Sequence, residues 1–97
     1  MTFQILYKKS ILEYIKKQDA RIISILGFNL VNNDDLKGLL RNLELIAKRV
    51  KIKELWLPWE PSGEIFSVLN GLGYQKAILG YHERENKKLE GYKLILN

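Results

Sequence analysis

The sequence predicts a single α/β domain spanning residues 1–97: a mixed sheet of about five strands with three helices, in the order β-α-β-α-β-α-β-β. Three observations carry this. Leu36, Leu39, Leu40, Leu43, Ala47 and Val50 recur at spacings of three and four, which puts them on one face of a long helix. That helix lies between two apolar runs, residues 20–31 and 53–57. A strand–helix–strand unit of this kind makes a parallel pair with a right-handed crossover, so the two runs are central neighbours. The chain then closes with two alternating stretches, residues 75–84 and 89–96, joined by Glu85-Asn86-Lys87-Lys88, the pattern of an antiparallel hairpin. The hairpin extends the sheet on one side and residues 2–7 lie toward the other.

The elements follow in order. Residues 2–7 alternate, with Phe3, Ile5 and Tyr7 on one side and Thr2, Gln4 and Leu6 on the other, the two-residue period of a strand. Lys8-Lys9 ends it. Ser10 and Glu13 have the spacing of a capping box, in which the side chains satisfy backbone N–H groups reciprocally. This predicts a short helix with Ile11, Leu12 and Ile15 buried, closed by Lys16, Lys17, Gln18 and Asp19. Residues 20–31 are almost continuously apolar, which predicts a central strand covered on both faces. Gly27 interrupts it and marks a bend, a bulge or a close approach of another backbone or a ligand. Asn32, Asn33, Asp34 and Asp35 form a turn and cap the long helix. Glu44 and Lys48 sit on its outer face at the favourable i,i+4 spacing. Pro58 stops the strand at 53–57 because it has no N–H for a ladder. Ile65, Phe66, Leu69 and Leu72 give the third helix one apolar face, and Gly73 is placed as its left-handed C-cap.

Composition excludes several classes. There is no cysteine, so neither a disulfide nor a thiolate metal site exists, and one histidine, His82, cannot form a histidine cluster. No metal site is expected. No apolar run approaches the roughly 18 residues that span a bilayer, and the N-terminus lacks the pattern of a secretory signal. The expectation is a cytoplasmic protein with no membrane partner. A net charge of +5 favours anionic partners, although lysines covering a solvated surface account for it as well. Abundant Lys, Glu, Ile and Leu suit a thermophile, an archaeon or one of its viruses.

Candidate interaction residues come from charge and aromaticity. Lys8, Lys9, Lys16 and Lys17, with Lys87 and Lys88 at the hairpin tip, would track phosphates if they shared a face. Trp56 and Trp59 flank Pro58 at the carboxyl end of a strand, where ligand crevices border open α/β sheets. Trp56 covers a sheet face, and Trp59 is the interface candidate. His82 and Glu83 point to opposite faces of a strand and form no acid–base pair. Asp34 and Asp35 precede an apolar-periodic run, which makes them capping residues and not a carboxylate pair for catalysis.

Residues 21–97 resemble the GNAT superfamily of CoA-dependent N-acyltransferases. Leu72-Gly73-Tyr74 is similar to the family's Leu-Gly-aromatic corner, residues 53–59 to the strand before it, and the spacing from the long helix to the corner also fits. The resemblance implies an acetyl-CoA site in the loop and first turns of the long helix, with Asn33, Lys37, Gly38 and Arg41 as its cofactor-binding positions. The departures are specific. The family loop carries glycines whose N–H groups approach a pyrophosphate, whereas residues 32–38 hold one glycine and two aspartates. Leu69 stands where the family often has a proton-donating tyrosine, so no catalytic residue is assigned. The resemblance also implies an extra helix and two strands before the central strand that have no counterpart in this chain.

The function expected from these readings is a non-enzymatic binding or assembly module on a degenerate GNAT-like scaffold, with no cofactor. Its partner is a protein or a second copy, through Trp59 or a free sheet edge. The alternatives are a nucleic-acid-binding accessory protein and a minimal CoA-dependent acyltransferase.

Overall fold

A computed structural model of the chain describes residues 1–17 and 21–96. The order is β1 (Phe3–Tyr7), β2 (Ser10–Lys17), β3 (Ile22–Asn29), α1 (Asp35–Arg49), β4 (Glu54–Leu57), α2 (Gly63–Gly71), β5 (Gln75–His82) and β6 (Lys87–Ile95). The strands form one mixed six-stranded sheet in the order β1-β2-β3-β4-β6-β5. As expected, β3 and β4 are central parallel neighbours joined through α1, with the β5–β6 hairpin on one side and β1 toward the other.

The expected counts need correction: there are six strands and two helices among the described residues. The difference is Ser10–Lys17, a strand and not a capped helix. Ser10, Leu12 and Tyr14 are buried in alternation, the period of a strand, with Glu13 exposed between them. Lys8 and Lys9 form a two-residue turn with φ of 46° and 69° that sets Tyr7 opposite Ser10. Both positive φ values match the turn class whose twist suits a tight hairpin. A helix of about eight residues is marginal alone, whereas a strand here is paired on both sides. Gln18 and Asp19, expected to close that helix, and Ala20, expected to open the next strand, lie outside the described residues. The terminal hairpin turns two residues earlier than expected, at residues 83–86.

Both helices lie on the same sheet face. Ile23, Ile25, Leu55 and Leu57 join Leu36, Leu39, Leu40 and Leu43 of α1 and Leu69 of α2 in one buried cluster. The expectation that residues 20–31 are covered on both faces holds in part. On the second face Ile22 and Ser24 are buried beside Trp56, but Leu26 is 45% exposed. Gly38 lies on the face of α1 toward β1, where a Cβ would overlap the Tyr7 ring. The i,i+4 pair Glu44–Lys48 is formed at 3.4 Å.

The helices end alike. In α2 the Gly73 N–H donates to the Asn70 carbonyl and the Tyr74 N–H to that of Leu69, with Gly73 at φ 97°, the expected left-handed cap. In α1 the Lys51 N–H donates to the Lys48 carbonyl and the Ile52 N–H to that of Ala47. The same motif thus places a lysine, at φ 60°, where α2 has glycine.

Two features open the sheet between its central strands. Against β2, Glu13 faces Gly27 but Tyr14 faces Ile25, so Leu26 is an extra residue in β3, a bulge beside the predicted interruption. A bulge bends a strand and increases its twist. Accordingly β3 pairs with β4 only from Ile22 to Ser24, and Pro58 ends β4 just beyond. Past Ser24 the edge of β3 that faces β4 has no strand partner among the described residues.

Candidate functional site

A furrow begins where β3 and β4 diverge. Its inner end is a cavity of about 500 Å³ lined by Leu26, Gly27, Phe28, Leu30, Trp59 and Ile65. Leu30 and Ile65 also line the next cavity, about 450 Å³, together with Asn33, Asp34, Glu64 and Val68. Val68 and Ser67 continue into a third, about 330 Å³, with Lys37 and Arg41 on its α1 wall. The furrow is therefore apolar between the strands, polar at the start of α1, and basic along α1.

The polar middle is closed by its own side chains. Asn32 Oδ1 accepts from the Asp34 N–H at 2.9 Å. The Asn32 and Asn33 carbonyls accept from the Asp35 and Leu36 N–H groups at 3.0 and 3.2 Å. Three N–H groups at the start of α1 are thus already used. Asn33 Nδ2 donates across the furrow to the Glu64 carboxylate in the first turn of α2. The expected capping by Asp34 and Asp35 is corrected: Asp34 makes no side-chain cap bond, and Asp35 turns inward. Asp35, 6% exposed, accepts from Ser10 Oγ at 2.8 Å, and that oxygen accepts from the Val31 N–H at 2.8 Å. One hydroxyl so ties the starts of β2 and α1 to the exit of β3. Asn32, which caps locally, and not the aspartates, sets the helix entry.

The predicted residues separate. Asn33, Lys37 and Arg41 line the furrow, while Gly38 packs on Tyr7 and leaves no cradle. Trp59 is half-buried with its ring edge-on to Phe28 at 5.9 Å. Trp56 lies on the opposite sheet face, its Nε1–H donating to Glu54 at 3.0 Å and Lys17 Nζ 5.0 Å above its ring. Lys8 and Lys9 turn at the carboxyl end of β3. Lys16 and Lys17 stand at the other end of β2, opposite Ile23 and Ile22. Lys87 and Lys88 open β6 across the sheet, opposite His82 and Tyr81, so the six lysines do not gather on one patch. Leu69 is fully buried in the core. The sequence missed Glu64, whose role depends on Asn33 31 residues away.

Two tyrosines near the site are held neutral. Burial, then the Glu44 charge, pushes the Tyr74 phenol up, and its hydroxyl has no hydrogen-bond partner among the described residues. Burial and the Glu60 carboxylate push Tyr92 up, with Tyr92 Oη donating to Glu60 Oε1 at 3.1 Å.

The backbone aligns with a GNAT-family acetyltransferase from Staphylococcus aureus Mu50 at a TM-score of 0.65 and 15% identity, over 99% of this chain and 67% of that one. The chain has a GNAT-like fold. An acetyltransferase from Bacillus subtilis, solved in complex with CoA, aligns at a TM-score of 0.57 and 8% identity, over 99% of this chain and 75% of that one. No protein-family model matches the sequence, and no curated protein does. The GNAT-like alignment extends through β1 and β2, so the two strands that seemed missing before the central strand are present. Among the described residues no helix is long and apolar enough to cross a membrane.

Proposed function

We propose that this chain is a non-enzymatic binding module that takes an extended peptide segment of a protein partner into the furrow of its GNAT-like scaffold. The observation that carries this reading is the free edge of β3 beyond Ser24, lying beside an apolar cavity with Phe28 and Trp59 in its wall. An extended segment satisfies such an edge with its own main-chain groups, and alternate side chains reach the adjoining pocket. Aromatic walls of this kind anchor peptide side chains.

Acyl transfer is disfavoured by three features. The N–H groups that would meet a pyrophosphate at the start of α1 are already bonded. Asp34 and Glu64 line that cavity and repel a polyanion. Leu69 offers no proton to a departing thiolate. A minimal CoA-dependent acyltransferase is the second reading, favoured by the fold and by Lys37 and Arg41 on the furrow wall.

The test uses Trp56→Phe, which leaves Trp59 as the single tryptophan reporter. Acetyl-CoA is expected to give no saturable change in its emission. Saturable micromolar binding with turnover of an amine acceptor would replace this reading with the second. Peptides selected by phage display are expected to shift the amide resonances of residues 26–29 and the Trp59 emission together. Selected peptides that leave those amides unmoved refute strand addition.

A further inference from the structure

A second concavity sits at the opposite end of the sheet, where β3 and β4 begin. Arg21, Lys48, Lys51, Ile52, Lys53 and Leu96 line a cavity of about 550 Å³. Ile52 and Leu96, each 9% exposed, form an apolar floor, and the four cations form the rim. The cavity is built from three separate segments pinned by backbone. The Lys53 N–H donates to the Arg21 carbonyl at 2.8 Å, and the Leu96 N–H to the Lys53 carbonyl at 2.8 Å. Among the described residues no aspartate or glutamate lines the cavity. Among the described residues Lys48 pairs with Glu44 at 3.4 Å, while Arg21, Lys51 and Lys53 form no ion pair.

Two rim cations are held on left-handed backbone, Arg21 at φ 54° and Lys51 at φ 60°. An L side chain is disfavoured there, and α2 uses glycine at the equivalent of Lys51. The left-handed backbone fixes where the Arg21 and Lys51 side chains leave the chain, as it does for Lys8 and Lys9 in the β1–β2 turn. Gathered like charges also repel one another, and an anion relieves that repulsion. The site is open, floored by apolar groups and supplied with flexible cations, without converging backbone donors. That suits a run of phosphates better than one enclosed anion. Lys16 and Lys17 stand at the same end of the sheet, opposite Ile23 and Ile22, with the Lys17 ammonium over the Trp56 ring on the other sheet face.

We propose that this end of the sheet binds the phosphodiester backbone of nucleic acid, independently of the furrow. Each neutralised phosphate releases counterions, so the number of contacts is read from the salt dependence. For four rim cations on a single strand, log K against log salt is expected to have a slope of about −3. The assay is anisotropy of a labelled oligonucleotide of about 12 nucleotides from about 50 to 200 mM salt. The Arg21→Gln/Lys53→Gln double variant is expected to shallow that slope by about 1.4. Lys51→Gly is expected to weaken binding several-fold while raising Tm, a combination that loss of folding cannot produce. Lys8→Gln/Lys9→Gln, at the other end of the sheet, is expected to leave the slope unchanged. The proposal is overturned if no oligonucleotide binds at the lowest salt or if the first double variant keeps the wild-type slope. It is equally overturned if Lys8 and Lys9 carry the loss, if inorganic phosphate competes at equal concentration, or if phosphatidylserine vesicles bind and the oligonucleotide does not.

Discussion

Replacing Ser10 by alanine removes one atom that holds three elements. Its hydroxyl donates to Asp35 and accepts from the Val31 N–H, both at 2.8 Å. Asp35 is 6% exposed, so water does not readily take the hydroxyl's place, and losing a hydrogen bond to a charged group costs about 1.5–3 kcal/mol. Val31 is 69% exposed, so water reaches its N–H and that loss adds roughly 0.5 kcal/mol at most. The expected destabilisation is about 2–3 kcal/mol, a fall in Tm on the order of 10–20 °C for a domain of this size. Urea denaturation followed by circular dichroism measures it, with the m value unchanged. Asp35→Asn, which keeps an acceptor toward Ser10, is expected to lose less than Ser10→Ala. Glu13→Ala is expected to change stability by less than about 0.5 kcal/mol, because Glu13 is exposed on the opposite side of the strand. A capping-box helix makes the opposite forecast, in which Ser10→Ala and Glu13→Ala each cost about 1 kcal/mol. That result would refute the strand and the buried bridge together.

Three further outcomes are expected. Gly38→Ala gains roughly 1 kcal/mol of helix propensity but drives a Cβ into the Tyr7 ring, so thermal melts should show a net loss that Tyr7→Leu relieves. Tyr74→Phe removes a buried hydroxyl with no partner and is expected to stabilise the fold by about 1 kcal/mol. The Tyr74 phenol is raised from an ordinary value of 10.0, so the folded state holds its proton longer than the unfolded chain does. Its contribution is intact below pH 10.0 and lost as pH rises above it, and urea titrations should therefore show the advantage of Tyr74→Phe widening at alkaline pH. Lys51→Gly removes a left-handed side chain and should raise stability by roughly 0.5–1 kcal/mol in the same denaturation assay.

What the chain discloses about itself depends on how local the cause is. The α1 periodicity, the parallel β3–β4 pair and the Gly73 cap rest on neighbours in sequence, and all three were legible. Ser10–Lys17 was not, because eight residues carry both a capping-box spacing and an alternation. Their ambiguity is resolved by Asp35, 25 positions away. The same distance problem separates the candidate site residues. Asn33, Lys37 and Arg41 were singled out through the resemblance, and the fold sets all three along the furrow wall. Gly38, singled out with them, faces the Tyr7 ring, 31 residues earlier, a contact that no local pattern announces. Arg21 fell within the apolar run read as a strand and Lys51 carried no reading of its own, since a left-handed φ at a lysine leaves no trace in composition. The one available signal was the lack of a glycine or asparagine after Val50, where the helix had to stop.

The bulge in β3 has a consequence for how such a furrow is gained or lost. The divergence of the two central strands begins with a single surplus residue, Leu26, set against β2, and is completed where Pro58 ends β4. Deleting it sets Ile25 and Gly27 opposite the neighbouring Tyr14 and Glu13 with no surplus residue between, which removes the added bend while Gly27, Phe28 and Asn29 keep their β2 partners and their faces. Substitutions at the cavity wall retune what the furrow accepts, whereas chain length at this one position changes how far β3 bends away from β4. Insertion and deletion there reshape the inner end of the furrow in a way that point change at its wall does not.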